Sequence, residues 1–153
     1  VPSMRIFVAT VYGGALDVAE LSQPLCEQAG FQVNILEEPE LEDLVNAPPD
    51  IALFCISTTG SGDFPGNFMR FADNMANQLP DLSHQRYGLI AMGDSSYDTF
   101  CGAGRKLDNV LQKCGAQRIG ERLEIDASRT PMADDEALPW IESWLPIARE
   151  SLQ

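Results

Sequence analysis

The stretch Tyr87-Gly88-Leu89-Ile90-Ala91-Met92-Gly93-Asp94-Ser95-Ser96-Tyr97-Asp98-Thr99-Phe100-Cys101 decides the fold. Its first part, Tyr87 to Met92, is a continuous apolar run too short for a globular helix, the pattern of a parallel strand buried on both faces. Its second part is a polar turn with one aromatic ring at its centre, Tyr97. In an open α/β sheet, ligands bind in the crevice beyond the carboxyl ends of the strands, so this turn is expected at a ligand-facing edge. There the flat ring of Tyr97 can cover a planar ligand with its face while its hydroxyl stays wet. A lone Tyr in a loop is ordinarily just a surface residue, and the other loops of the chain must decide between the two readings.

Working outward, two more apolar runs match the first. Arg5 to Ala9 and Ile51 to Ile56 read as buried strands, whereas Phe31, Val33 and Ile35 alternate with Gln32 and Asn34 and predict a strand with one wet face, placed at an edge. A weaker strand around Ile119 to Ile125 carries Arg118 and Arg122 and suits the opposite edge. Between the strands, apolar residues recur at helical spacing: Val18, Leu21, Leu25 and Ala29; Phe64, Phe68, Phe71 and Met75; Leu107, Val110, Leu111 and Cys114. Pro24 is expected to kink or divide the first helix. A short helical turn is expected at Leu41 to Val45, and a final helix from about Pro139, bent or broken at Pro146, buries some of Trp140, Trp144 and Ile147. Strands alternating with helices make an α/β fold, a five-stranded parallel sheet with helices on both faces. The order 2-1-3-4-5 puts the three continuous runs in the middle. One domain over residues 4–153 accounts for the chain, with Val1-Pro2-Ser3 read as a remnant outside the fold.

Ten basic against twenty-three acidic residues give a formal charge of -13, which repels phosphate backbones and anionic lipid. Nucleic acid and membrane are therefore not expected partners, and no apolar stretch approaches the ~20 residues of a membrane span. The acidic patches Glu37 to Asp43 and Asp134 to Glu136 read as solvated loops. Cys26, Cys55, Cys101 and Cys114 contain no C-x-x-C pair and His84 is isolated, which fits reduced thiols in a cytoplasm and no metal site.

Three loops open at the same carboxyl edge in this order. Thr10-Val11-Tyr12-Gly13-Gly14-Ala15 joins the first strand to the first helix and can turn successive backbone N–H groups toward one anion, aided by the helix dipole. It contains no Lys or Arg, so a phosphate there is held by amides and the Thr10 hydroxyl. Taken alone, the same residues suit any tight turn. Ser57-Thr58-Thr59-Gly60-Ser61-Gly62-Asp63-Phe64-Pro65 has two glycines among small polar residues, and glycine lets a peptide turn over without steric penalty. The third loop is Gly93 to Cys101. None holds a sequence-adjacent catalytic constellation: Ser95-Ser96 has no base, and Cys101 has no adjacent positive charge to lower its pKa.

Gly93-Asp94-Ser95-Ser96-Tyr97 followed by Asp98-Thr99-Phe100-Cys101-Gly102-Ala103 closely resembles the flavin-contacting loop of flavodoxins. The Tyr12-Gly13 pair and the S-T-T-G-x-G-D-x-P loop resemble the short bacterial flavodoxins of the YqcA type and, more loosely, the MioC type. The resemblance runs from about Met4 to Trp144. It implies FMN as cofactor, placed at the switch point of the sheet, and single-electron transfer at low potential. It also implies that Gly60 turns its carbonyl toward flavin N5 when that nitrogen gains a proton. The implied cofactor-binding residues are Thr10, Val11, Tyr12, Gly13, Gly14, Ala15, Ser57, Thr58, Thr59, Gly60, Gly62, Gly93, Asp94, Ser95, Tyr97, Phe100 and Cys101. The first loop departs from the usual T/S-x-T-G-x-T pattern, with Tyr12 and Ala15 where hydroxyls assist the phosphate. Thr59 stands where many flavodoxins place a Trp over the inner flavin face.

The resulting expectation is a monomeric, cytoplasmic carrier that meets a flavodoxin/ferredoxin-NADP reductase-type protein with a basic face and then acceptor enzymes. The alternative is a flavin-dependent NAD(P)H reductase acting directly on quinones or similar small molecules; such enzymes usually need insertions this chain lacks. A phosphoryl-accepting receiver domain of the same sheet order needs clustered acids after the first strand, where Thr10 stands.

Overall fold

The computed structural model describes residues 1–153. In chain order its elements are β1 (Ser3–Ala9), α1 (Gly14–Gln28), β2 (Gln32–Leu36), α2 (Glu42–Val45) and β3 (Ile51–Ser57). A 3₁₀ turn (Gly66–Phe68) leads into α3 (Met69–Gln78), followed by β4 (Arg86–Gly93), α4 (Gly102–Lys113), β5 (Gln117–Arg118), β6 (Leu123–Asp126) and α5 (Asp134–Ser151). All pairings are parallel, in the order β2-β1-β3-β4-β5, and β6 also pairs with β4. The expected fifth strand is thus two segments lying along one neighbour. Between them the chain leaves the ladder after Ile119, whose N–H still donates to the Tyr87 carbonyl at 2.8 Å.

Alternate residues of the central strands feed two cores. Met4, Ile6 and Val8 of β1 and Ile51, Leu53 and Cys55 of β3 pack under α1 and α5. Phe7 and Ala9 of β1 and Ala52, Phe54 and Ile56 of β3 pack under α3 and α4. The second core is aromatic: Phe7, Phe54 and Phe71 lie in mutual contact, Phe68 packs on Phe71, and Tyr87 is edge-on to Phe54. Burial on both faces is why β1, β3 and β4 read as continuous apolar runs, and the half-exposed β2 as an alternating one.

The structure corrects the sequence reading at four places. Residues 1–3 do not all lie outside the fold: Ser3 is the first residue of β1, its N–H donating to Asp50 Oδ2 at 2.8 Å, and the Pro2 carbonyl accepts from the Gln32 N–H at 2.9 Å. Pro24 does not divide α1, because it and Glu20 lie on the exposed face, where the carbonyl left without a donor meets water. Leu21 is also exposed, and the buried stripe of α1 is Ala15, Val18, Ala19, Ser22 and Cys26. Helix α5 starts at Asp134, not near Pro139, and continues through Pro146, with both prolines on its exposed face. Asp134, Asp135 and Glu136 are its first turn, where their charge complements the helix dipole.

The far edge is held by a buried carboxylate. Asp108, on the sheet-facing side of α4, accepts from the Tyr87 hydroxyl, from Arg118 and, at 2.6 Å, from Arg122. Arg122 and Arg105 both pair with Glu124, at 3.1 and 2.7 Å, so α4 is tied to both segments of the split strand. Trp144 fills the space above Gly88, where a Cβ would come within 2.5 Å of the indole, and its Nε1–H donates to the Ile119 carbonyl at 2.9 Å.

Candidate functional site

The loops after β1, β3 and β4 converge at the carboxyl edge of the sheet around a cavity of about 620 Å³. Its wall comprises Val11, Tyr12 and Gly14 from the first loop, Ser57, Thr58, Thr59 and Gly60 from the second, and Met92, Gly93, Asp94, Tyr97 and Thr99 from the third, with Ala127 beyond β6. A smaller hollow of about 250 Å³ opens beside it between α1 and the β6–α5 loop, sharing Gly14, Met92, Gly93 and Ala127. The larger cavity is within the size range of ligand sites, and it alone is bounded by all three loops.

At the α1 end, Gly13 caps the helix at φ 91, a left-handed conformation that glycine adopts freely. Its N–H donates to Thr10 Oγ1 at 2.8 Å and its carbonyl accepts from the Asp17 N–H at 2.9 Å. The amides of Val11, Tyr12, Gly14 and Ala15 have no hydrogen-bond partner within the protein. Four free N–H groups at a helix N-terminus, with no cationic side chain on the loop, form a receptor for an anion. The Ala15 side chain is fully buried, so its place in the pattern is filled by core packing and not by a hydroxyl.

The second and third loops are stitched together. Thr99 Oγ1 donates to the Gly60 carbonyl at 3.0 Å, the Ala103 N–H donates to Thr58 Oγ1 at 3.3 Å, and Lys106 Nζ donates to the Gly62 carbonyl at 3.1 Å. Thr59 closes its own loop, its N–H donating to the Asp63 carbonyl at 3.0 Å and its Oγ1 accepting from the Asp63 N–H at 3.1 Å. The loop after β4 is held from its far side by Asp126, which accepts N–H bonds from Ser95 and Ser128 at 3.0 Å each. Hydrogen bonding from Ser95, and then from Ser128, holds the Asp126 carboxyl well below the usual carboxylate range. Asp94 folds the turn itself, Oδ1 accepting from the Ser96 N–H at 2.9 Å and from its hydroxyl at 2.6 Å. Within this frame Tyr97 is 55% exposed, and its ring edge lies 4.0 Å from where a Cβ on Gly60 would stand.

Most of the expected residues therefore meet at one cavity, and some do not reach its wall. Thr10, Gly13, Ala15, Gly62, Ser95, Phe100 and Cys101 lie behind it. Phe100 packs against the Arg105 guanidinium, 5.4 Å from ring centroid to Cζ. Cys101 caps α4 at φ 52 with its side chain fully buried, and burial, with Glu124 nearby, pushes its thiol up to about 12. It is a packed thiol beneath the loop, so close to Gly93 that a Cβ there would lie 2.5 Å from the Cys101 amide nitrogen. Sequence reasoning missed Met92, Thr99 and Ala127 in the wall, and Asn67, Asp126 and Ser128 behind it. Met92 and Thr99 were visible as parts of the opening stretch, Met92 as the end of the buried strand and Thr99 as a loop hydroxyl.

A βα loop of free amides, a glycine-rich loop and an exposed aromatic ring meet at the switch point of a 2-1-3-4-5 sheet, where open α/β sheets bind their ligands. The flavodoxin family model matches residues 6–140, and the chain belongs to that family. It is 41% identical to Flavodoxin YqcA of Escherichia coli strain K12 over 139 residues, 91% of this chain and 93% of the relative. It is also 41% identical to Protein MioC of the same strain over 142 residues, 93% of this chain and 95% of the relative. Among solved structures, a cysteine-to-serine variant of flavodoxin from Pseudomonas aeruginosa superposes with a TM-score of 0.88 at 32% identity, covering 96% of this chain and 99% of that one.

Proposed function

We propose that the protein binds one FMN in this cavity and carries electrons singly, at low potential, between an NAD(P)H-dependent reductase with a basic face and acceptor enzymes of a reducing cytoplasm. The observation that carries the reading is the polarity of the cavity: at one end the unpartnered amides of Val11, Tyr12 and Gly14, with that of Ala15 behind them and no cation, and at the other an exposed ring. Val11, Tyr12, Gly14 and Ala15 would hold the phosphate through their amides, with the Thr10 hydroxyl free to donate while it accepts from Gly13. Tyr97 would cover the ring, and Thr58, Thr59 and Gly60 would face its edge. FMN supplies the redox chemistry, taking up and releasing one electron at a time. The chain supplies binding, orientation and charge. Acidic surface steers a basic partner to the open edge, an attraction that salt weakens.

The test joins composition to kinetics. The purified protein is expected to be yellow, to release one FMN per chain, and to oxidise NADPH negligibly by itself. Addition of a ferredoxin/flavodoxin-NADP reductase is expected to start electron uptake at a rate that falls with salt. Rapid turnover of NADPH and a quinone without that partner would overturn the carrier reading.

Gly60 gives a second expectation. Its peptide's carbonyl is held only by the Thr99 hydroxyl, and neither Gly60 nor Ser61 donates an N–H within the protein. An alanine at Gly60 finds room, since the nearest atom is 4.0 Å away. Gly60→Ala is therefore expected to leave unfolding free energy within about 0.5 kcal/mol of wild type while penalising the turned-over peptide. Potentiometry should show a lower potential for the first electron and no comparable change for the second. Two unaltered potentials would remove this peptide from the redox chemistry.

A further inference from the structure

Asn67 lies outside the cavity wall and outside every motif of the chain. It sits in the 3₁₀ turn between β3 and α3, and its carboxamide serves three main-chain groups far away in sequence. Oδ1 accepts from the Thr10 N–H at 2.9 Å, and Nδ2 donates to the carbonyls of Val8 and Glu37 at 2.7 Å each. These groups end β1 and follow the end of β2. A side chain with two donors and an acceptor on one short planar head is required, which aspartate and serine do not provide.

The consequence runs along the loop. Asn67 fixes the amide of Thr10, and the Thr10 hydroxyl fixes the amide of Gly13. Between and beyond these two anchors lie Val11, Tyr12, Gly14 and Ala15, whose amides are unpartnered. The ring end of the cavity has separate supports: Thr99 on Gly60, and Asp126 on Ser95. We propose that Asn67 is the positioning residue that shapes the β1–α1 loop as a phosphate receptor, and so sets the preference for a flavin bearing a phosphate over one without it. Without Asn67 the Thr10 amide and two strand-end carbonyls lose their partner, and the loop relaxes to satisfy them at the expense of the convergent amides. The inference rests on the FMN reading of the cavity.

The experiment titrates the apoprotein with FMN and with riboflavin, for wild type, Asn67→Ala and Asn67→Asp, and follows hydrogen exchange at the Thr10 amide in the flavin-free state. Wild type is expected to prefer FMN. Asn67→Ala should lose about tenfold or more in FMN affinity, the equivalent of one hydrogen bond to a charged group, while riboflavin affinity stays within about threefold. Exchange at Thr10 should quicken in the same variant. Asn67→Asp keeps the side chain's size and its acceptor for Thr10 but sets oxygen against the Val8 and Glu37 carbonyls. It should lose FMN preference in the same direction, and it serves as the test if the alanine variant does not fold. An FMN-to-riboflavin ratio unchanged in both variants, whether affinities fall together or not at all, overturns the positioning role. A wild type that does not distinguish the two flavins overturns the FMN reading and the selectivity role with it, while Thr10 exchange separately reports whether Asn67 holds the loop.

Discussion

Tyr97→Ala is expected to weaken FMN binding by about 10- to 100-fold, the equivalent of ~1.4 to 3 kcal/mol, and to make the bound flavin visibly brighter. The magnitude follows from the ring's position. Tyr97 is 55% exposed beside the cavity, so ligand binding can bury a large aromatic face that folding leaves open. Its backbone is pinned before any ligand arrives, its own N–H donating to the Asp94 carbonyl at 3.1 Å and the neighbouring Ser95 being held by Asp126. Stacking on a pre-ordered ring avoids much of the entropic cost of fixing a mobile one. The phenol is also electron-rich, and contact with an excited flavin quenches emission by electron donation. Tyr97→Phe should keep most of the affinity while losing part of the quenching, which separates stacking from electron donation. Unfolding of the apoprotein should change by less than about 0.5 kcal/mol, because an exposed ring holds little of the core. Fluorescence titration of the three proteins measures both effects. Equal affinity and equal emission for Tyr97→Ala would sink the assignment of Tyr97 as the stacking ring.

The architecture was legible where the physics is local. Strands buried on both faces must be apolar at every position, so β1, β3 and β4 announce themselves, and β2 shows its wet face by alternating. The start of α5 was hidden by a real ambiguity: three consecutive acids describe a solvated loop and a dipole-stabilised first helical turn equally well. Its prolines misled because a proline's cost depends on whether the freed carbonyl reaches water, which sequence does not state. The split fifth strand is tied to α4 by charges that find each other only in the fold. Asp108 stood in sequence as one acid between Leu107 and the apolar residues that follow, and its arginine partners came from another element. The site divides in the same way. Loops that touch the cavity were found through their glycines, hydroxyls and Tyr97. The residues that hold those loops, Asn67 and Asp126, bind backbone groups 57 and 31 positions away and carry no periodic or motif signal. Cys101 shows the converse: it belongs to the stretch that decides the fold, yet its side chain faces the interior.

The acidic rim yields the second large effect, on the potential for the second electron. If FMN is bound as proposed, an electron taken up with a proton would leave the ring's charge unchanged, whereas one taken up alone would add negative charge that nearby carboxylates oppose. Asp94 lines the cavity and forms no ion pair. Asp63, by contrast, has Lys106 Nζ 3.6 Å away, and opposite charges at that separation largely cancel at a distance. At ~10 Å and an effective dielectric near 20, one uncompensated carboxylate opposes the added charge by roughly 1 to 2 kcal/mol. With ~59 mV for each ~1.4 kcal/mol in a one-electron couple, that is about 40 to 90 mV. Asp94→Asn is therefore expected to raise the second potential by this amount and barely to move the first. The substitution is a clean one, because an amide oxygen can still accept from the Ser96 N–H and hydroxyl and keep the turn. Removing both partners in Asp63→Asn/Lys106→Gln should shift the second potential much less than Asp94→Asn, since a near-neutral pair is deleted. Raising salt should shrink the Asp94 effect, as the Debye length falls from ~10 Å at 0.1 M to ~3 Å at 1 M. A second potential unmoved by Asp94→Asn at low salt would show that the cavity's charge does not separate the two electrons, and single-electron carriage would need another cause.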